Sequence, residues 1–160
     1  MSTWQQDPDG SPVQPLYPDG GVRGAFANRY MSGSQPIATG VRETLLFDTP
    51  IDNPVRIVYS AGTFTAPYAG RYDITAGIRW STNGTGQRIL YFMIGGVDAY
   101  VDHLGAFTGG PTTNHLAFTT YLNAGDVGAF SVLQNSGAAL TVLGSPALVA
   151  AGVSISYAGA

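Results

Sequence analysis

Tyr72, Ile74, Ala76, Ile78 and Trp80 are apolar, and between them stand Asp73, Thr75, Gly77 and Arg79. Side chains of a β-strand point alternately to opposite faces, so this period of two puts five apolar groups on one side of a half-buried strand. A sheet with one apolar face must bury it against a second layer. The remainder of the chain is therefore read for the elements that supply that layer.

Helices are poor candidates. A surface helix needs a charged outer face, and only 11% of these residues are charged, against about 25% in an ordinary globular chain. The 22 glycines and 10 prolines favour turns and short strands instead. Hydrophobic content of 44% over 160 residues is enough for one domain with a sizeable core. Short candidate strands recur at 24–29, 44–47, 55–59, 88–94, 113–122, 127–134, 140–143 and 153–157, around the long one ending at Trp80. Residues 95–113 read as a long Gly-rich loop with a brief strand at 99–101. Asn83-Gly84 reads as a hairpin turn. About ten short strands without a helix predict an all-β, antiparallel two-sheet jelly roll. Residues 88–94 are apolar on both faces, which predicts cover on both sides.

Residues 1–21 differ from this pattern. Pro8, Pro12, Pro15 and Pro18 alternate with Asp-Gly turns, which predicts an extended N-terminal arm ahead of a jelly-roll domain at 22–160. Trp4, Leu16 and Tyr17 are its candidate anchoring residues, with an unattached tail as the alternative. The arginines at 23, 29, 42, 56, 71, 79 and 88 are the only basic residues besides two histidines, and they form no run. Nucleic acid is therefore not expected as a partner. No cleaved secretory signal and no membrane-crossing run is read, and the absence of cysteine excludes disulfides and thiolate metal sites.

Phe47, Asn53 and the run Phe64-Thr65-Ala66-Pro67-Tyr68-Ala69-Gly70-Arg71-Tyr72 follow the spacing of a known signature. Leu122-Asn123-Ala124-Gly125-Asp126-Val127 and the closing Val153-Ser154-Ile155-Ser156-Tyr157 fit its later hairpin and final strand. On these residues the chain resembles the globular head of complement subcomponent q, within the tumour-necrosis-factor-like jelly-roll family. Ile74 stands where the signature prefers Phe, and the Asn53–Phe64 gap is slightly short. The resemblance covers about residues 22–158 and implies a ten-stranded jelly roll assembled as a tight homotrimer. Surplus aromatics on strand faces point the same way, and the candidate trimer-contact residues are Tyr91, Phe92, Tyr121, Phe130 and Tyr157.

Signals of chemistry are sparse. Asp98 and Asp102 lie near His103 and are weak calcium candidates if they share a face, with a solvated loop as the alternative. His115 is either structural or part of a subunit seam. Glu43 is the only glutamate, with no carboxylate beside it to suggest a glycosidase pair, and neither Gly-x-Ser-x-Gly nor His-Glu-x-x-His occurs. No catalytic residue, cofactor or resident metal is expected. The expected role is a non-enzymatic structural or attachment protein of a bacteriophage particle, located in the virion. The arm would dock it on capsid or tail proteins, and the Gly/Thr/Asn/Ser loops 31–40, 81–87 and 102–113 would face outward toward cell-surface glycan. The alternative is a soluble bacterial carbohydrate- or protein-binding module of the same fold.

Overall fold

The computed structural model describes residues 25–51, 56–144 and 151–159. Trp4, Leu16, Tyr17 and Asn53 lie outside the described residues. Within them the chain is all β: β1 Phe26–Tyr30, β2 Gln35–Ile37, β3 Glu43–Thr44, β4 Thr49–Pro50, β5 Val58–Ser60, β6 Thr63–Thr65 and β7 Gly70–Arg79. There follow β8 Gln87–Ile94, β9 Val97–Gly105, β10 Thr113–Leu122, β11 Val127–Gln134, β12 Leu140–Val142 and β13 Gly152–Gly159. No helix of the described residues is long and apolar enough to cross a membrane.

Two antiparallel sheets form the layers. The first runs β10-β7-β13-β1-β4, and the second runs β5-β6-β11-β8-β9 with β3 also paired to β11. The alternation of β7 is realised residue by residue: Tyr72, Ile74, Ala76 and Ile78 are buried, and Arg71, Asp73, Thr75 and Arg79 are exposed. Opposite them the second sheet contributes Phe64, Leu90, Phe92, Phe130 and Val132. Phe92 is the hub of this core, with ring centroids 6.1 Å from Phe64, 5.0 Å from Phe118 and 5.1 Å from Phe130.

The corner before β7 depends on Gly70. Its φ is +150°, and a Cβ there would stand 2.5 Å from the Gly159 carbonyl oxygen and 2.6 Å from the Tyr157 ring. Tyr72 locks the same corner, since its hydroxyl donates to the Tyr68 carbonyl at 2.8 Å and accepts from the Tyr68 amide at 3.2 Å.

Three expectations are corrected. Asn83-Gly84 does not form a hairpin, because β7 and β8 belong to different sheets. The 122–127 segment likewise carries the chain from one sheet to the other rather than joining neighbours. Residues 97–105 are a nine-residue strand, not loop. The Gly95-Gly96 pair, with φ of +57° and +84°, supplies the left-handed turn that folds β9 back on β8. As a sheet edge, β9 is mostly exposed on both faces, so it has little of the apolar periodicity that marks a strand.

Phe92 and Phe130 are likewise corrected as subunit-contact residues, since both are fully buried between the protomer's own sheets. Replacing Phe92 by Ala is accordingly expected to cost about 3–5 kcal/mol of folding stability. Denaturant titration of wild type and variant at matched concentration measures the loss. A variant as stable as wild type would place Phe92 outside the core.

Candidate functional site

Strand directions divide the molecule into two poles. At the base, the Tyr157 amide donates to the Ala25 carbonyl at 2.8 Å, so the first described residue lies beside the last strand. The β8–β9 turn and the 123–126 connection lie at the same end, as the registers of β7, β8, β10 and β11 require. At the opposite, apical end the loops 81–87, 106–112 and 135–139 converge with the segment 31–40, which is not all loop as expected but carries β2.

These apical loops interlock. The Ala106 amide donates to the Gly86 carbonyl at 2.9 Å, and the Gln87 amide donates to Asn135 Oδ1 at 2.6 Å. The Gly137 amide donates to Thr39 Oγ1 at 3.1 Å. Gly84 lies so close to the 106–112 loop that a Cβ would stand 3.1 Å from Thr108 Cα. Below them Arg88 is fully buried, its guanidinium donating to the carbonyls of Asn83, Thr85 and Gln87 at 3.0 Å each. Burial alone pulls its pKa down from the ordinary arginine value. Nothing in the sequence marks Arg88 as the organiser of this loop, because an arginine opening an apolar strand reads as a surface residue.

A second buried network closes the open side of the sandwich. Asn114 Oδ1 accepts from Trp80 Nε1 at 2.8 Å, while its amide nitrogen donates to Asp102 Oδ2 at 2.9 Å. The same carboxylate oxygen accepts the His115 amide at 2.9 Å. Asp102 on β9 thereby binds β10, the edge of the other sheet.

Asp98 and Asp102 do not share a face. Asp98 is opposite Met93 and Asp102 is opposite Leu90, with a register shift between Phe92 and Met93. The extra residue of a bulge reverses the facing of the residues beyond it. Asp98 instead pairs with Arg42, whose guanidinium holds its carboxyl below the usual carboxylate range. Arg42 also stacks 3.8 Å above the Tyr91 ring and donates to Ser131 Oγ at 2.8 Å. Among the described residues no group of three or more His, Cys, Asp or Glu is placed to hold a metal. His103 lies exposed opposite Ile89.

Of the other candidate contact residues, Tyr91 lies beneath Arg42. Tyr157 packs on Tyr68 and Tyr72 with centroids at 5.7 and 5.3 Å. Tyr121 is 59% exposed on the outward face of the first sheet. Further along that face, small groups stand in register: Ala117, Thr75 and Ser154 in one row, His115, Gly77 and Gly152 in the next. Thr75, Ser154, His115, Gly77 and Gly152 line a shallow concavity of about 440 Å³, together with Arg29 and Ile51. Val97, Val101 and Leu104 on edge strand β9 are exposed apolar groups.

A second cavity of about 310 Å³ lies beside Arg29, Asp48 and Tyr59. Asp48 accepts from the Ser32 amide at 3.0 Å and from the Ser32 hydroxyl at 2.7 Å, which hold its pKa down. Arg29 donates to the Asp48 carbonyl at 3.1 Å and lies 5.1 Å from the Tyr59 ring centroid. Arg29 Nε and the Tyr59 hydroxyl are buried without a hydrogen-bond partner among the described residues.

The element order and sheet pairing define a tumour-necrosis-factor-like jelly roll. No protein-family model matches the chain, and no curated protein sequence matches it. Among solved structures it is similar to Eiger TNF from S. frugiperda, with 14% identity over 84% of this chain and 93% of that one, at TM-score 0.62. It is similar also to PRD1 vertex protein P5, with 21% identity over 82% of this chain and 72% of that one, at TM-score 0.62. Murine APRIL at pH 5.0 shares 8% identity over 82% of this chain and 98% of its own, again at TM-score 0.62. At these identities the likeness establishes the fold.

Tyr59 carries a pH prediction. Burial raises its pKa well above the ordinary 10.0, and the Arg29 charge only partly opposes this. The folded state then holds a proton that the unfolded state releases above pH 10, so stability falls as pH rises through that window. Tyr59→Phe is expected to flatten the alkaline limb of a stability-versus-pH curve from thermal melts. An unchanged limb would show that Tyr59 does not set it.

Proposed function

We propose that this protein is a non-enzymatic, homotrimeric structural or attachment protein of a bacteriophage particle, located in the virion. In this reading residues 1–21 dock it on capsid or tail proteins and its apical loops face outward. The observation that carries the reading is the polarity of the domain. Ala25, the first described residue after the arm, is bonded to the final strand at the base, while the interlocked loops occupy the opposite end. A chain tethered at its base presents those loops away from the particle. The likeness to a phage vertex protein, PRD1 P5, supports a virion setting for the fold. Fold alone does not decide function, and the likeness to Eiger TNF and APRIL means that the fold is not confined to virion proteins; the alternative is a soluble bacterial carbohydrate- or protein-binding module.

Trimer formation is supported by two unlike surfaces on one protomer. Edge strand β9 exposes Val97, Val101 and Leu104, and the outward face of the first sheet offers Tyr121 and the concavity around Thr75, Gly77 and Ser154. A contact between unlike patches is heterologous, and such contacts close into a three-membered ring where successive protomers are related by a threefold rotation.

Two experiments test this reading. Deleting residues 1–21 is expected to leave a folded trimer that no longer joins particles; particles that incorporate it normally would favour the soluble module. Thr75→Arg puts a charge into the concavity and is expected to yield folded monomers by sedimentation, because an unpaired charge at a subunit contact costs several kcal/mol. A persistent trimer would locate the contact elsewhere.

A further inference from the structure

We propose that the apical pole is a glycan-binding platform centred on the Phe107 ring, and that its ligand is a neutral hexopyranose unit. The inference rests on the reading above, in which these loops face outward.

Phe107 is 60% exposed at the tip of the 106–112 loop, the largest side chain to be left open there. Its ring lies along the loop's own backbone. A Cβ on Gly109 would stand 2.8 Å from Phe107 Cζ, and one on Gly110 would stand 3.8 Å from the ring. Glycine at 109 is thus what allows an aromatic surface to be supported from one side and open elsewhere. The loop is closed beneath it by Thr112, whose hydroxyl accepts the Phe107 amide at 3.3 Å.

The surroundings select the ligand. Residues 81–87 and 105–114 contain no charged side chain. Thr82, Thr85, Thr108 and Gln87 are exposed on the same two loops, which touch where Gly84 meets Thr108 and the Ala106 amide meets the Gly86 carbonyl. Arg88, the cation nearest in sequence to the 81–87 loop, is buried, with its guanidinium bonded to loop carbonyls. Nucleic acid and acidic sugars need cations, which these loops do not contain; exposed Arg79, opposite Thr113, stands beside them on the outward face of the first sheet. A neutral pyranose needs an apolar surface for its C–H face and uncharged donors and acceptors for its hydroxyls. The backbone bonds that hold the loops in place reduce the ordering that binding would otherwise cost.

Saturation-transfer NMR on the full-length protein tests the assignment, using glucose, galactose, mannose and N-acetylglucosamine as probes and glucuronic acid as the charged comparison. At least one neutral sugar is expected to receive saturation, strongest at its ring C–H protons. Phe107→Ala should weaken its apparent affinity roughly tenfold or more, about 1.4 kcal/mol. Phe107→Trp should retain binding. The proposal is overturned if no neutral sugar responds, if glucuronic acid responds more strongly, or if Phe107→Ala leaves the response unchanged. Thermal melts of the exposed-site variants verify that they fold. Incorporation of Phe107→Ala into particles is scored separately. Intact incorporation without sugar binding by the wild type sinks the platform alone, whereas sugar binding by a protein that never joins particles sinks the virion reading alone.

Discussion

Closure of the sandwich on its open side combines one carboxylate with one ring stack, the Tyr100 ring of β9 lying 3.8 Å from the Phe118 ring of β10. Asp102 sits on the edge strand of the second sheet and accepts two N–H groups from β10, the edge strand of the first. Without it the His115 amide, which faces away from β7, would be an unpaired edge donor. Asn114 relays the contact inward by accepting from Trp80, so the indole is satisfied in the core it helps to fill. Asn114 and Trp80 are both fully buried, which raises the cost of removing either partner.

Arg88 extends the same principle to the apical loops. An arginine buried without a carboxylate partner is costly unless its donors are used, and here three loop carbonyls use them. The chain thereby converts a buried charge into a specification for the 81–87 loop. Its Nε has no partner among the described residues, so the arrangement gives up some stability. A loop held by backbone bonds to a fixed guanidinium keeps one shape, and a uniform shape is what a recognition surface requires.

Much of the architecture is legible in the residues because periodicity is strongest where one face is buried. Thr113–Leu122 and Val127–Gln134 form strands with the bounds their patterns predict, and the alternation ending at Trp80 sets the inner face of β7. Legibility fails where burial is not one-sided. Strand β9 is exposed on both faces and bulged, so Asp98 and Asp102 look like neighbours on one face and are not. Phe92 and Phe130 look like surplus aromatics in the sequence, because a linear pattern cannot reveal that four rings of one protomer nest around Phe92. The turns at Asn83-Gly84 and Gly125 are visible, but a turn motif does not state whether the chain returns to its neighbour or crosses to the other layer.

The distribution of charge completes the link from fold to role. Arg42–Asp98, Arg71, Asp73 and Asp126 lie on sheet faces or toward the base, whereas the apical loop segments are charge-free. In a chain with so few charges, solubility has to come from hydroxyl, amide and backbone groups at that end. Glycine and threonine loops provide them, at the price of large conformational entropy unless something fixes the backbone. Arg88, Asn135 and Thr39 fix it. The exposed Phe107 is then the exception that solubility alone does not account for, since Ala or Ser would serve a solvent-facing tip equally well. An aromatic ring kept open by glycine, on loops immobilised from below and stripped of charge, is consistent with a surface shaped for contact and not merely for exposure.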